Sequence, residues 1–256
     1  MKKIIQISDS HLFQNNDLTL FSVKSNFRFE KVLSQIISNE SIDTDLILIT
    51  GDISQDETPE SYQVIADHLD KLNIPIFWIP GNHDNLSVMQ STFQNTKNFN
   101  YVKFLSLPYW HLIFINTKLI NSDSGFLHPD ELNTLSLELE KAPANKKLVI
   151  IMHHHPIPVG TPLIDKYILQ NRKEFLNILP TDKDILILCG HVHGDYKIIQ
   201  NNITLETCPA TCLQWKKGTS TIDIEHNIGY KVFYLNETDY TSATKLWIAD
   251  ESCFTE

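Results

Sequence analysis

The chain has 256 residues, 42% of them apolar, and a formal net charge of -10 at pH 7. That length and apolar share suffice for one sizeable core, while the acidity argues against a nucleic-acid groove, which needs clustered Lys and Arg. No stretch is apolar for long enough to form a signal-peptide core or a membrane span, so the expectation is a cytoplasmic protein with neither a nucleic-acid polymer nor a membrane as partner.

The N-terminus leads directly into an apolar run, Ile4-Ile5-Gln6-Ile7. Phe29, Val32, Leu33, Ile36 and Ile37 then follow the spacing of an amphipathic helix. A second run, Leu46-Ile47-Leu48-Ile49, precedes a second such helix through Tyr62, Ile65, Ala66, Leu69 and Leu72. Thr58 is its expected N-cap, with Pro59 in the first helical position. The runs Ile76–Ile79, Leu148–Ile151 and Ile185–Leu188 read as further buried strands, and a third helix is predicted from Pro129 through Leu132, Leu135 and Leu139. Beyond residue 195 the pattern changes. Tyr196–Ile199, Ile203–Thr207, Ser220–Ile224 and Tyr230–Leu235 predict strands of an antiparallel meander. No linker, repeat or charge block divides the chain, so one domain over 1–256 is expected. Residues 236–256 would be a C-terminal tail, with Trp247 and Phe254 docked on the body. Alternating strands and helices followed by a meander imply an α/β fold of two packed mixed sheets with helices outside.

Four cysteines, Cys189, Cys208, Cys212 and Cys253, form no CxxC pair and read as reduced thiols, Cys189 as a small core residue. The chemistry-bearing residues lie elsewhere, and nearly all follow a strand. They are Asp9-Ser10-His11, Gly51-Asp52, Gly81-Asn82-His83-Asp84, His153 and Gly190-His191-Val192-His193. Each fragment alone has an ordinary explanation: Asp9 a turn cap, Asp84 a helix N-cap, His153-His154-His155 a surface tract. The ordered set is different. Two carboxylates, one amide and four imidazoles are donors for two divalent cations, and no thiolate is among them.

The order D-x-H, G-D, G-N-H-D, H, G-H-x-H resembles that of the calcineurin-like metallophosphoesterases, over roughly residues 3 to 235. Within them, Ser8–Phe13, His153–Gly160, Cys189–His193 and Pro209–Cys212 resemble the bacterial class III 3′,5′-cyclic nucleotide (cAMP) phosphodiesterases of the Icc/CpdA type. The resemblance implies a four-layer α-β-β-α sandwich, the metallophosphatase fold. It implies two divalent metals, iron, manganese or zinc, bridged by Asp52. Asp9, His11 and His193 would complete one site, and Asn82, His153 and His191 the other. Extended backbone would point His191 and His193 to the same side. His153 is the preferred ligand of the triple histidine and His154 the second choice. Asn82, His83 and His154 are expected to face substrate, with His155 either supporting a ligand or facing substrate too.

Two such metals, roughly 3.5–4 Å apart in other two-metal sites, make hydroxide available near neutral pH. Hydroxide would attack the phosphodiester in line with the leaving oxygen. His83, oriented or charged by Asp84, is the candidate general acid, worth about 10²–10⁴-fold. The implied reaction is hydrolysis of a small phosphodiester, 3′,5′-cyclic AMP first, to 5′-AMP. Other readings keep the centre and change the substrate to a glycerophosphodiester or a 2′,3′-cyclic nucleotide, or make the protein a metal-free scaffold. A scaffold should have a broken ligand set, and this one is complete. Tyr109, Trp110, Phe126 and Trp215 are the aromatics that could stack on a base. The sequence leaves base preference, metal identity and oligomeric state open, a homo-oligomer included.

Overall fold

The computed structural model describes residues 1–249. Strands β1 (Lys2–Ile7), β2 (Leu46–Thr50), β3 (Ile76–Ile79) and β4 (Phe99–Asn100) run parallel in a first sheet. A second sheet holds β5 (Phe104–Ser106), β6 (Trp110–Phe114), β7 (Lys147–Met152), β8 (Ile185–Cys189), β9 (Lys197–Gln200) and β10 (Ile203–Thr207) in the order β5-β6-β7-β8-β10-β9. Its four central strands are parallel and its two edges antiparallel. A two-residue pair follows, β11 (Gln214–Trp215) with β12 (Ile224–Glu225). The chain then returns to the first sheet as β13 (Asn227–Leu235) and β14 (Tyr240–Ile248), giving the order β14-β13-β1-β2-β3-β4.

Strand alternation assigns the layers. Ile5, Ile47 and Ile49 belong to a cluster with Phe29, Val32 and Ile36 of helix α1 (Ser25–Asn39) and Tyr62 and Ile65 of helix α2 (Pro59–Leu69). Their neighbours Ile4, Leu46 and Leu48 face the other way, into a cluster with Val149, Ile151, Leu186 and Leu188 of the second sheet. On that sheet's far side, Leu148, Ile150, Ile185 and Ile187 pack with Leu135, which follows helix α3 (Leu86–Phe93) in sequence as part of helix α4 (Pro129–Lys141). Strands apolar at every position are what a sheet covered on both faces requires. The result is helix, sheet, sheet, helix, as the sequence implied. Thr58 caps α2 by accepting from the Ser61 N–H, with Pro59 next to it. Ile37 departs from its expected place in the buried stripe and is exposed.

The expected single meander is two separate hairpins. β9 and β10 close the edge of the second sheet, whereas β13 and β14 close the first. Of the expected Ser220–Ile224 strand only Ile224 is in a ladder, followed by Glu225 beyond the expected end, and Ile222 is exposed. Tyr240–Ile248, expected in a tail, is the edge strand β14. Trp247 packs against the first core, its ring 6.1 Å from that of Tyr230. Phe254 and Cys253 lie outside the described residues. Cys189, Cys208 and Cys212 are buried free thiols.

Polar ties also bind the sheets. The Gln6 amide donates to Thr50 Oγ1 at 2.9 Å and to the Cys189 carbonyl at 3.1 Å. Lys231 of β13, paired in register with Gln6, reaches Glu206 of β10 at 2.9 Å and Asp195 at 2.6 Å. Burial raises the Glu206 carboxyl, but the Lys231 charge and its hydrogen bonds outweigh that and hold it below its ordinary value.

A depressed folded pKa gives stability that is present above the unfolded value and lost as pH falls through the folded one. Lys231→Met should therefore cost about 3 kcal/mol at neutral pH, with Lys197 still pairing Glu206 at 2.9 Å. Urea melts from pH 7 down to pH 3 would show it: the unaltered protein should lose more stability than the variant below about pH 4.5. Parallel curves would show that the ion pair contributes nothing.

Candidate metal centre

Five parallel strands, β1, β2, β3, β7 and β8, end toward one edge of the sandwich, and the loops after them bond to one another. Asp9 N–H donates to the Gly51 carbonyl and His11 N–H to the Asp52 carbonyl, both at 3.0 Å. The His191 N–H donates to both oxygens of Asp9, at 2.9 and 3.1 Å, so a loop of the second sheet is held by a carboxylate of the first. Two glycines permit this approach. A Cβ on Gly51, whose φ is +95°, would lie 2.5 Å from His153 Nδ1, and one on Gly190 would collide with Ser8 Oγ.

Asp9, His11, Asp52, Asn82, His153, His191 and His193 all meet here. Asp9 (φ 53°), His11 (45°), Asp52 (51°), His191 (68°) and His193 (42°) stand in left-handed backbone. Conformations so rare outside glycine concentrate where function fixes a side chain. They also correct the strand argument for His191 and His193. Neither is in extended backbone, because β8 ends at Cys189; the turn, not alternation, brings both rings inward.

The seven side chains divide into two groups around Asp52. In one, His11 Nε2 lies 3.1 Å from His193 Nε2 and 3.7 Å from Asp52 Oδ2, and His193 Nε2 is 3.6 Å from Asp9 Oδ1. In the other, His153 Nε2 lies 3.1 Å from Asn82 Oδ1 and 3.2 Å from Asp52 Oδ2, and His191 Nδ1 is 3.1 Å from Asn82 Oδ1. The protons explain why these contacts matter. His193 Nδ1 faces the Leu213 carbonyl at 2.9 Å and His11 Nδ1 the Gln55 side-chain oxygen at 2.7 Å. Carbonyl oxygens only accept, so both Nδ1 atoms carry the proton. Burial lowers His11 to about 4 and His193 far below its ordinary range, so both rings are neutral at pH 7. Their Nε2 lone pairs point at each other.

Such an arrangement suits a cation between the donors. His191 Nε2 is buried without a partner, and burial likewise drives that ring well below the ordinary value. His153 behaves differently. Burial lowers it, but the Asp52 charge prevails and lifts it to about 9, while Asp52 falls well below the carboxylate range. Burial first, then the charge of Asp52, pushes Asp9 up to about 7, against the opposing charge of His153.

A sequence profile of the calcineurin-like phosphoesterases matches residues 2–195. The chain belongs to that family. It is similar to a probable cyclic nucleotide phosphodiesterase of Coxiella burnetii, 38% identical over 96% of this chain and 97% of the other. It is also similar to a 3′,5′-cyclic adenosine monophosphate phosphodiesterase, CpdA, of Vibrio vulnificus, 34% identical over 84% of this chain and 78% of that one. A dimetal phosphatase of Danio rerio shares the fold, with a TM-score of 0.72 at 11% identity, covering 95% of each chain. Calcineurin-like phosphoesterases are hydrolases that use divalent metals, and the donor set here fits such ions: oxygen and imidazole nitrogen, oriented by Gln55 and two backbone carbonyls.

The remaining candidates separate. His83 stands half-buried beside the group, its N–H donating to Asp52 Oδ1 at 2.9 Å and its ring edge-on to His11 at 4.9 Å. Asp84 does not orient it, contrary to expectation. Its carboxylate accepts from Ile53, Ser54 and Gly81 N–H, knitting the β2 and β3 loops together. Helix α3 is capped instead by Asn85. His154 does not face substrate either; it is fully buried, its Nδ1 2.7 Å from Thr117 Oγ1 and its ring 4.5 Å from that of His191. His155 Nε2 bonds Asp165 at 3.1 Å and its ring stacks on His191. A cavity of about 310 Å³ opens over His11, Asp52, Asn82, His83, His191 and His193, with Trp215 in its wall. Trp110 lies between the sheets and Tyr109 and Phe126 line no part of that cavity. Gln55, Thr117 and Phe21 were not legible in advance, since none stands in a motif.

No helix among the described residues is long and apolar enough to cross a membrane.

Ligands bind metal in their deprotonated forms. His153, raised in the folded chain, is protonated below about 9, so a cation must displace its proton. Mn²⁺ uptake near pH 7.5 should therefore release about one proton or more per chain and strengthen as pH rises. Titration calorimetry in two buffers of different ionisation enthalpy measures this. Identical heats in both would contradict the assignment of His153.

Proposed function

We propose that this chain is a 3′,5′-cyclic-AMP phosphodiesterase that yields 5′-AMP, working with two divalent metal ions. The observation that carries the proposal is the pair of donor groups sharing Asp52, with unprotonated imidazole nitrogens facing each other at 3.1 Å. The named activities of the Coxiella and Vibrio relatives support the substrate class. Asp9, His11 and His193 would hold one ion, Asn82, His153 and His191 the other, and Asp52 both. Iron, manganese and zinc all suit imidazole with carboxylate. Such ions, when bound, offset the phosphodiester's negative charge and make water acidic enough to supply hydroxide near neutral pH.

The chain's own residues then have distinct tasks. Gln55 and the Leu213 and Thr50 carbonyls fix the tautomers of His11, His193 and His153. Asp84 holds the Asp52 loop against the Asn82 loop, so the shared carboxylate and the amide keep their spacing. His83 is the proton donor. Hydroxide forms the new P–O bond, the P–O3′ bond breaks, and the His83 ring proton goes to the 3′-oxygen. Its ring has no hydrogen-bond partner among the described residues, which leaves it available to substrate.

Asp52→Asn should empty both sites, whereas Asp9→Asn should empty mainly one; elemental analysis of protein purified without chelator distinguishes them. Two metals per chain in Asp52→Asn would remove Asp52 from the bridging role.

His83→Ala should keep both metals and lose about 10²–10⁴-fold on cAMP. The loss should be distinctly smaller on bis(p-nitrophenyl) phosphate, whose leaving group needs no proton. Equal losses on both would assign His83 to charge stabilisation instead.

A further inference from the structure

The cavity above the metal centre has an apolar wall that the hydrolytic groups do not use. Leu20, Phe21, Leu163, Tyr167, Trp215 and Ile222 form it. Two of these are fixed by unusual means. Leu20 and Val23 exchange both backbone hydrogen bonds at 2.9 Å, which makes Leu20–Val23 a tight two-residue turn. Its central residues are Phe21 (φ 49°) and Ser22 (φ 64°). Two left-handed residues define the turn that favours Asn-Gly, because a side chain there crowds its own backbone. A phenylalanine in that position costs stability, and the turn stays closed because Val23 is buried on Ala210, Cys212 and Leu213. The expense has a visible result. Phe21, 45% exposed, is set at the cavity edge.

Trp215 is fixed from the other side. Its N–H donates to the His193 carbonyl at 3.0 Å and it pairs with Ile224. Its ring lies 5.3 Å from that of His193, tilted by 33°, and 5.5 Å from that of Phe21, nearly perpendicular. So His193, Trp215 and Phe21 form a continuous line of rings from a candidate metal ligand to the mouth of the cavity. A strained backbone that exposes a large aromatic ring beside a catalytic centre is better explained by a ligand than by packing.

We propose that Phe21 and Trp215 form the base-recognition wall, taking the nucleobase of the cyclic nucleotide while the phosphate lies at His11, Asp52 and Asn82. This rests on the cyclic-nucleotide reading above. A flat aromatic base matches a wall of rings, since stacking on aromatic side chains tolerates any base. The glycerol end of a glycerophosphodiester would leave the same wall wet.

Steady-state kinetics of metal-reconstituted protein should compare 3′,5′-cAMP with ribose 3′,5′-cyclic phosphate, which lacks the base. The unaltered protein should have the lower KM for cAMP. In Phe21→Ala and Trp215→Ala the ratio of the two KM values should shrink about tenfold or more, while Trp215→Phe should recover part of it. Titration with 5′-AMP, followed by tryptophan fluorescence, should show quenching that Trp215→Phe abolishes. Phe21→Gly, which relieves the left-handed position, should melt at a higher temperature than the unaltered protein yet lose the same discrimination. Turnover of cAMP with an unchanged KM ratio in Phe21→Ala and Phe21→Gly would overturn the wall and leave the activity standing. No turnover of cAMP by the unaltered protein would overturn both.

Discussion

His11 and His193 present unprotonated nitrogens to each other across 3.1 Å, and much of the molecule serves to keep them there. The contact is unfavourable between neutral rings and favourable around a cation. It persists because each ring is pinned at its other nitrogen, by Gln55 and by the Leu213 carbonyl, and because burial keeps both rings from taking a second proton. His153 is the counterpart. Its neighbour Asp52 favours a proton on that ring, so the two halves of the centre differ in how their charge is balanced.

That arrangement needs two sheets. Asp9, His11, Asp52 and Asn82 follow strands of the first, and His153, His191 and His193 follow strands of the second. Neither sheet carries a complete set. The inter-sheet layer of Ile4, Leu48, Val149 and Leu188 fixes the separation, and Gln6, Asp9 and Lys231 bridge it with polar groups nearer the site. Five ligand-type residues in left-handed backbone cost of order 1–3 kcal/mol each. Such strain persists only where the surrounding structure over-determines it, and strands buried on both faces supply that frame.

The acidity of the chain fits this picture. An anionic substrate gains nothing from a net charge of -10, so attraction has to come from charge placed at the site itself. Asp52, held well below the carboxylate range, places negative charge where cations would be held. Away from the histidines, Asp52, Gln55, Asn82 and Asp123, the cavity wall is largely apolar, which strengthens electrostatic contacts within it.

The sequence alone determined the layers and the set of donor-type residues that meet at one edge of the sandwich. Continuous apolar runs such as Leu46–Ile49 and Leu148–Ile151 encode strands buried on both faces, and a motif at a strand end is local in the chain, so both are legible without a structure. The groups that hold or orient them were not. Gln55 on His11, the Leu213 carbonyl on His193 and Asp9 on His191 are contacts between segments up to 182 residues apart, and only the order of strands decides which loops touch. For the same reason Asp84 was misread as the orienter of its neighbour His83: adjacency in sequence says little in a tight turn, where consecutive side chains diverge. The tail became strand β14 because a partner edge, β13, stood open beside it. Phe21 had no motif at all; its place at the cavity follows from a turn whose strain is offset by a core assembled from residues 210–213.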